Sequence, residues 1–387
     1  MKTLIELYDE RPLDNVLATE MFRPEETVFI CPHEVAADSV LKSALNRYFR
    51  LRGCPTRLTF VPVSMTDAGS IAATLDRVLK DRQDCAIDIS GGTDASLFAA
   101  GQVSGDTPVF TYSRGKNSFF DIRNAPFARN TACTVHLDAR ACFLMAGGEL
   151  LPGREDNRLL RGRLQDIDRL FDVYTRFRKV WNSQLSYIQK LQPLRDEPLS
   201  ADGPTALKAD NRHVKADERL FRALQDAGLI RDLQLSDERI RFFFPDETVR
   251  FWLRDMGSVL ELQVYRACLK TERYDDVVLS AVVNWQSADR RSVAVTNEID
   301  VMAVRGVTPT FISCKTSEIR TEALNELAIL RDRFGGKGSR AVIVTSSPAS
   351  RSRAVTRRRA SELKIDVIEW EDVALDRLVK RLSPDVP

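Results

Sequence analysis

Histidine is scarce in this chain, and metal-site spacings are missing. The three histidines among 387 residues, His33, His136 and His213, lie far apart, and none of the seven cysteines stands in a Cys-x-x-Cys pair. The sequence therefore offers no zinc site. An odd number of scattered cysteines also gives no disulfide framework. Cys31, Cys54, Cys85, Cys133, Cys142, Cys268 and Cys314 read as reduced thiols, most of them in apolar runs where cysteine acts as a small core residue. No apolar stretch approaches the ~20 residues that span a bilayer. Met1-Lys2-Thr3-Leu4-Ile5-Glu6 meets an acid too early for a secretory signal, which points to a cytoplasmic protein without a membrane partner.

What is present fits a well-packed soluble protein of two or three domains, with 43% hydrophobic and 29% charged residues. The net charge of +2 says little as a total. Residues 27–125 alternate apolar strands with helical stretches. Strands are predicted at 27–31, 57–61, 85–89, 108–112 and 118–122, with helices over 35–51 and 70–79. This βαβα rhythm predicts a largely parallel, Rossmann-like sheet within residues 1–145. Ligands of such sheets sit at the carboxyl ends of the strands.

Residues 146–250 are more charged and read as a helical connector broken by Pro193, Pro198 and Pro204. The pattern predicts one long helix over 159–191. A helix over 218–230 and a short strand over 239–244 suit either a small winged-helix-like module or a plain spacer.

Residues 251–387 read in the order αβββαβ. The helix over 256–269 contains Glu261, and a strand is expected over 277–285. The next two strands carry the chemistry: Asn297-Glu298-Ile299-Asp300-Val301, then Phe311-Ile312-Ser313-Cys314-Lys315-Thr316. Side chains alternate faces along a strand. Glu298 and Asp300 are thus expected on one face and Ile299, Val301 and Ala303 on the other; Ser313 and Lys315 share a face opposite Ile312 and Cys314. Gly306-Val307-Thr308-Pro309 reads as the turn that makes the pair antiparallel and brings Asp300 to Lys315. Two carboxylates beside a lysine can hold a divalent metal and orient a water, which is equipment for cutting a phosphodiester. A helix (318–334), a strand (341–345), a basic helix and a last strand (367–370) follow. Arg351, Arg353, Arg357, Arg358 and Arg359, with Arg331, Arg333, Lys337 and Arg340, make this region locally basic, as a contact with backbone phosphate requires.

A second motif, Ser90-Gly91-Gly92-Thr93-Asp94, lies at a strand end and opens a helix. Glycines let a phosphate or ribose approach the backbone, and helix N-terminal amides favour anions. It is not Gly-x-Gly-x-x-Gly, and no Gly-Lys-Ser/Thr follows, which argues against NAD binding and ATP hydrolysis. His33, Tyr112 and Arg114 follow other strands at the same edge; His33 could meet adenine or ribose and Arg114 a phosphate.

The C-terminal order, with carboxylates ending the second strand and a lysine on the third, resembles the PD-(D/E)xK restriction-endonuclease-like superfamily. The N-terminal half, from Leu7-Tyr8-Asp9-Glu10-Arg11-Pro12-Leu13-Asp14-Asn15 through the Ser-Gly-Gly-Thr loop, resembles the CARF domains of type III CRISPR ancillary proteins. The resemblance covers nearly the whole chain, most weakly across 152–245. It implies an α/β protein with an N-terminal Rossmann-like CARF domain, a helical or winged-helix-like connector and a C-terminal restriction-endonuclease-like αβββαβ domain. It implies Mg²⁺ or Mn²⁺ on Asp300, with Glu261 as the helix acid and Lys315 acting on the attacking water. Ser313 stands where the family most often has Glu or Asp, so Glu298, or backbone oxygen near Cys314, would complete the metal site. Ser90, Gly91, Gly92, Thr93 and Asp94 would cradle a cyclic oligoadenylate across the axis of a homodimer, although the family often has Lys where Asp94 stands. The four-adenylate ring suits two symmetric loops.

The function implied is a cyclic tetra-adenylate-activated, metal-dependent nuclease of antiviral defence acting on DNA, RNA or both. The alternative is a catalytically silent sensor of the same nucleotide, disabled by Ser313. A restriction or repair enzyme with a DNA-binding N-terminal half fits less well, because that half has no basic stripe.

Overall fold

Thr3–Leu7 (β1) is buried along its whole length and lies in the middle of a seven-stranded sheet. The structure, a computed structural model, describes residues 1–153, 156–209, 212–285, 295–336, 338–346, 353–369 and 374–383. After β1 come a 3-10 turn (Pro12–Asn15), α1 (Leu17–Phe22), β2 (Glu26–Cys31), α2 (His33–Ala37), α3 (Ser39–Leu51), β3 (Arg57–Pro62) and α4 (Ala68–Lys80). Then follow β4 (Cys85–Asp88), α5 (Asp94–Val103), β5 (Val109–Ser113), β6 (Ser118–Arg123) and β7 (Thr131–Ala132). The sheet order is β3-β2-β1-β4-β5-β6-β7; β1 to β5 run parallel and the last two are antiparallel.

Parallel strands need cover on both faces. Here α1 and α3 pack on the side of Leu4, Ala86 and Phe110, while α4 and α5 pack on the side of Ile5, Ile87 and Val109. The strand order reverses between β1 and β4, so the crevice of this sheet opens beyond their carboxyl ends. The helix expected over 35–51 is two helices. Asp38 ends the first and caps α3, its carboxylate accepting the Val40 and Leu41 amides at 2.8 and 2.9 Å.

α6 (Ala139–Met145) is buried between this sheet and the C-terminal one. Its successor β8 (Glu149–Leu151) pairs with the C-terminal sheet, which corrects the connector's expected start at 146. Three helices replace the single one expected over 159–191: α7 (Asn157–Arg161), α8 (Leu164–Phe177) and α9 (Trp181–Lys190). Gly162 separates the first two. The second break lets the rings of Tyr174 and Trp181 meet edge to face, 5.5 Å between centroids. Residues seven apart on a straight helix are separated by about 10.5 Å of rise.

The rest of the connector is β9 (Gln192–Leu194), β10 (Glu197–Pro204), β11 (Ala206–Ala209), β12 (Arg212–Lys215), α10 (Glu218–Asp226), β13 (Arg231–Leu235) and β14 (Arg239–Phe243). They build a sheet of order β13-β14-β10-β9 and a β11–β12 hairpin. Pro193, Pro198 and Pro204 therefore sit on strands rather than between helices.

The C-terminal elements are α11 (Glu247–Trp252), α12 (Ser258–Lys270), β15 (Asp276–Asn284), β16 (Thr296–Arg305), β17 (Thr308–Lys315), α13 (Thr321–Phe334), β18 (Arg340–Thr345), α14 (Arg353–Glu362), β19 (Ile365–Ile368) and α15 (Leu375–Leu382). The expected αβββαβ order runs from α12 to β18. The last strand begins two residues earlier than expected, and Trp370 lies outside the described residues. The sheet order is β19-β18-β17-β16-β15-β8. α12 and α15 cover one face together with α8, while α13 and α6 cover the other. Apolar packing is thus continuous from the N-terminal sheet into the C-terminal one. Among the described residues no helix is long and apolar enough to cross a membrane.

Candidate active site

β16 and β17 part where the chemistry-bearing residues stand. Their ladder runs from Arg305 opposite Thr308 to Val301 opposite Ile312 and stops. Asp300 then fills the gap: its Oδ2 accepts the Cys314 amide at 2.5 Å and the Ser313 hydroxyl at 3.1 Å, with Lys315 Nζ 3.7 Å away. All three approach the same oxygen. Among the described residues none donates to Oδ1.

The neighbouring strand is kinked at the same level. β15 pairs with β16 in one register on both sides of Ser280 and Asp300, yet Ser280 has φ +51°. This left-handed residue reverses which face the chain presents. Leu279 and Val301 enter one core, Ala281 and Ile299 the other. The expected grouping of Ile299 with Val301 and Ala303 is therefore corrected: Ile299 packs with Met302 and Val304. Asn157 supports the kink, accepting the Leu279 amide at 2.7 Å and donating to the Leu279 carbonyl at 3.2 Å.

Glu261 approaches from α12. Asp255 holds the start of that helix, accepting the Gly257 and Ser258 amides at 3.0 and 2.8 Å and the Ser258 hydroxyl at 2.9 Å. Glu261 folds back over this turn, so that a Cβ on Gly257 would lie 2.6 Å from its Oε1. Burial, then repulsion from Asp300, Asp255 and Glu298, pushes the Glu261 carboxyl up to about 8, against the pull of Lys315. Asp300 is also raised, by burial first, while Lys315, the Cys314 amide and Ser313 oppose the shift.

Asp300 thus interacts electrostatically with Glu261, Glu298 and Lys315 and accepts the Ser313 hydroxyl. Asp255 joins them and was missed; an Asp just before a Gly-Ser helix start was its signal. The Cys314 thiol faces the core, and burial, with Asp300 and Glu261 adding to the upward shift, holds it well above the usual thiol range. The residue's contribution is its amide. Among the described residues no three His, Cys, Asp or Glu side chains stand close enough to hold an ion as they are.

In the N-terminal crevice, the Ser90–Asp94 loop turns inward. The Ser90 amide donates to Asp88 Oδ1 at 2.8 Å, the Ser90 hydroxyl donates to the same oxygen, and the Ser90 oxygen accepts the Tyr112 amide at 2.7 Å. The Gly92 amide donates to Asp9 at 2.9 Å, and the Thr93 hydroxyl donates to the Met65 carbonyl at 3.0 Å. The glycines permit close packing on the loop after β1: a Cβ on Gly91 would lie 2.8 Å from that of Asp9, and Gly92 has φ +100°. Thr93 and Asp94 are exposed, as is His33 at the end of β2. Arg114 meets Asp14 at 2.6 Å, Arg11 meets Asp9 at 2.7 Å, and buried Tyr112 donates to Asn117 at 2.7 Å. The expected ligand residues share one sheet edge, but its floor is an Asp–Arg network.

The basic face around α14 is partly neutralised, by Glu369 on Arg357, Glu362 on Arg358, Asp366 on Arg340 and Asp332 on Arg331. Lys337 and Arg351 lie outside the described residues, as does the side chain of Arg353.

Residues 245–383 match the family model for the Card1-like endonuclease domain. Two solved structures share the fold over nearly the whole chain. One is protein VC1899 from Vibrio cholerae, at 21% identity, covering 98% of this chain and 97% of that one with a TM-score of 0.74. The other is Can2 from Sulfobacillus thermosulfidooxidans, solved in complex with cyclic tetra-adenylate, at 16% identity, covering 98% of each chain with a TM-score of 0.70. Comparison with curated proteins finds no match. These findings bear out the resemblance at the level of the fold, and the C-terminal part is similar to the Card1-like endonuclease domain.

Proposed function

We propose that this chain is a nuclease of type III CRISPR antiviral defence, switched by cyclic tetra-adenylate and dependent on Mg²⁺ or Mn²⁺. The observation that carries the hydrolytic half is the Asp300 fork. Glu261 feels repulsion from Asp300, Asp255 and Glu298 and the pull of Lys315, whose Nζ lies 3.7 Å from Asp300, and Asp300 Oδ1 is left without a donor among the described residues. Such a donor set fits a hard divalent cation, which hydrogen-bonds to nothing and takes carboxylate oxygens. Asp300, Glu261 and Glu298 would hold the ion, which when bound supplies Lewis acidity toward a phosphoryl oxygen and toward water. The chain's own residues do the positioning. The Ser313 hydroxyl and Cys314 amide fix the Asp300 carboxylate, and Lys315 Nζ is placed to donate to the attacking water or to a phosphate oxygen.

The sensing half is supported by the crevice beyond β1 and β4 and by the fold shared with a protein that binds the ring. A two-fold ring would be met equivalently by two copies of the crevice, hence a homodimer. Its effect would come from a different affinity for two arrangements of the dimer. A physical link exists within one chain. The Leu137 amide donates to the Gly306 carbonyl at 2.8 Å, and the Gly306 amide to Asp275 at 2.5 Å. The N-terminal part thereby holds the closed end of the hairpin whose open end carries Asp300 and Lys315.

One test decides between this reading and the silent sensor that Ser313 leaves open. Purified protein is incubated with Mn²⁺, with and without the ring, on supercoiled plasmid and on single-stranded RNA. Cleavage that requires both ring and metal and vanishes in Asp300→Asn supports the proposal. Tight ring binding with neither substrate cut selects the sensor.

A further inference from the structure

A groove of about 820 Å³ lies between the connector and the endonuclease domain. Its lining includes Arg176 from the last turn of α8, Arg178 and Lys179 from the link to α9, Arg219 from α10, and Thr316 and Ser346 from the strand ends. It runs up to the fork. Thr316 follows Lys315, and the Ser346 amide donates to the Lys315 carbonyl at 3.0 Å. Met256, also in the lining, precedes the Gly257 turn over which Glu261 folds.

Cations without an acid partner among the described residues are gathered in this groove. Many guanidiniums here face an acid, as in Arg163 with Asp246, Arg222 with Glu218 and Arg239 with Asp202. Among the described residues no acid pairs with Arg176, Lys179 or Arg219, and all three are exposed. The acid in the lining, Asp217, is committed to capping α10, accepting the Leu220 amide at 3.1 Å. Burial also pulls the Arg178 guanidinium down, a shift that a bound anion would oppose.

Four cations lining one groove beside the proposed phosphodiester-cutting centre match a polyanionic strand. We infer that this groove holds the sugar–phosphate backbone of the substrate nucleic acid and feeds it to Asp300 and Lys315. The inference rests on the nuclease reading and adds where the substrate lies. The contacts are to phosphate and carry no sequence preference. The connector is thereby part of the substrate site rather than a spacer.

Binding tests it separately from cleavage. Anisotropy is read on labelled single-stranded DNA and RNA, with and without cyclic tetra-adenylate, in full-length Asp300→Asn protein so that nothing is cut. Adding Arg176→Ala, Lys179→Ala and Arg219→Ala should weaken binding by about tenfold or more and make the plot of log K against log salt shallower by about 2, from about 0.7 per lost contact. Arg50→Ala, Arg77→Ala and Arg195→Ala in the same background control for net charge and should change neither. Melting temperatures check the fold, and single Lys179→Gln should give an intermediate loss. If the groove variant binds as the control does, or if the intact groove binds neither strand, the inference is overturned. If only one strand is bound, that arm identifies the substrate. Groove-dependent binding by a wild-type chain that never cleaves would keep the groove and sink the nuclease reading.

Discussion

The carboxylate of Asp300 accepts the backbone amide of Cys314 at 2.5 Å. A side chain thus takes the place of a strand carbonyl, and the ladder between β16 and β17 ends at that point. The same contact holds the Asp300 carboxylate in place and ends this one ladder, while β17 goes on pairing with β18 as far as Lys315.

Substitutions at this position should separate this structural role from the proposed catalytic one. Asp300→Asn keeps an acceptor for the amide and should melt close to wild type while losing at least about a hundredfold in cleavage. Asp300→Ala leaves a largely buried amide unsatisfied and should cost a further 1–3 kcal/mol or about that in stability. Chemical denaturation of both variants, beside cleavage assays, checks the split; equal stability would deny Asp300 its structural part.

Part of this centre was legible because its residues read as two alternating strands, although the strict period of two breaks between Ile299 and Val301. Asn297–Val301 and Phe311–Thr316 alternate charge and apolar bulk, and a glycine turn between them forces an antiparallel pair. The kink was not legible: nothing in Val277-Val278-Leu279-Ser280-Ala281-Val282-Val283 marks a positive φ, since it is imposed by packing and by Asn157 from 122 residues away. β1 was missed because Glu6, an acid, is only 1% exposed in a five-residue strand. The helix expected over 159–191 is broken at Gly162 and again before Trp181, whose ring meets that of Tyr174 edge to face. The inward turn of the Ser90–Asp94 loop depends on Asp9, whose bond to Gly92 spans 83 residues.

The buried acids of the N-terminal sheet predict a pH dependence. Burial pushes the Asp88 carboxyl up to about 7, with Asp14 adding and the Ser90 bonds opposing; Glu6 is raised by burial and then by Asp88 and Asp14. A raised carboxyl keeps its proton in the folded chain after the unfolded chain has released it. Its contribution to stability is therefore full below the unfolded value near pH ~4 and is lost as pH rises toward 7. Asp88→Asn keeps an acceptor for Ser90 and removes the titration. Its melting temperature should match wild type at low pH and exceed it at pH values above the Asp88 range. Parallel melting curves across that range would refute the assignment.

The glycines of the Ser90–Asp94 loop should not be interchangeable with other glycines. A Cβ on Gly91 would meet the Cβ of Asp9 at 2.8 Å and that of Asp14 at 3.1 Å, both anchored close to the backbone. Gly91→Ala should cost about 1–3 kcal/mol by overpacking and weaken cyclic tetra-adenylate binding in calorimetry. Gly101→Ala, in α5 with nothing within 4 Å of a new Cβ, should instead stabilise by about 0.5–1 kcal/mol. Equal effects from both would show that the crevice tolerates a wider loop.

Ser313→Glu asks whether this chain holds a metal without an acid at position 313. Ser313 now donates to Asp300 at 3.1 Å; the substitution removes that donor and adds a carboxylate to a cluster that already repels itself. In EDTA the variant should therefore melt below wild type. A cation reverses the balance, because a ligand binding only the folded chain stabilises it by about 2.7 kcal/mol at a hundred times its Kd. With Mn²⁺ present, wild type should gain in melting temperature, Ser313→Glu should gain more, and Asp300→Asn should gain little. If Mn²⁺ stabilised Ser313→Glu and left wild type unmoved, the natural chain would lack its ion for want of that one carboxylate, and the sensor without cleavage would be the correct reading.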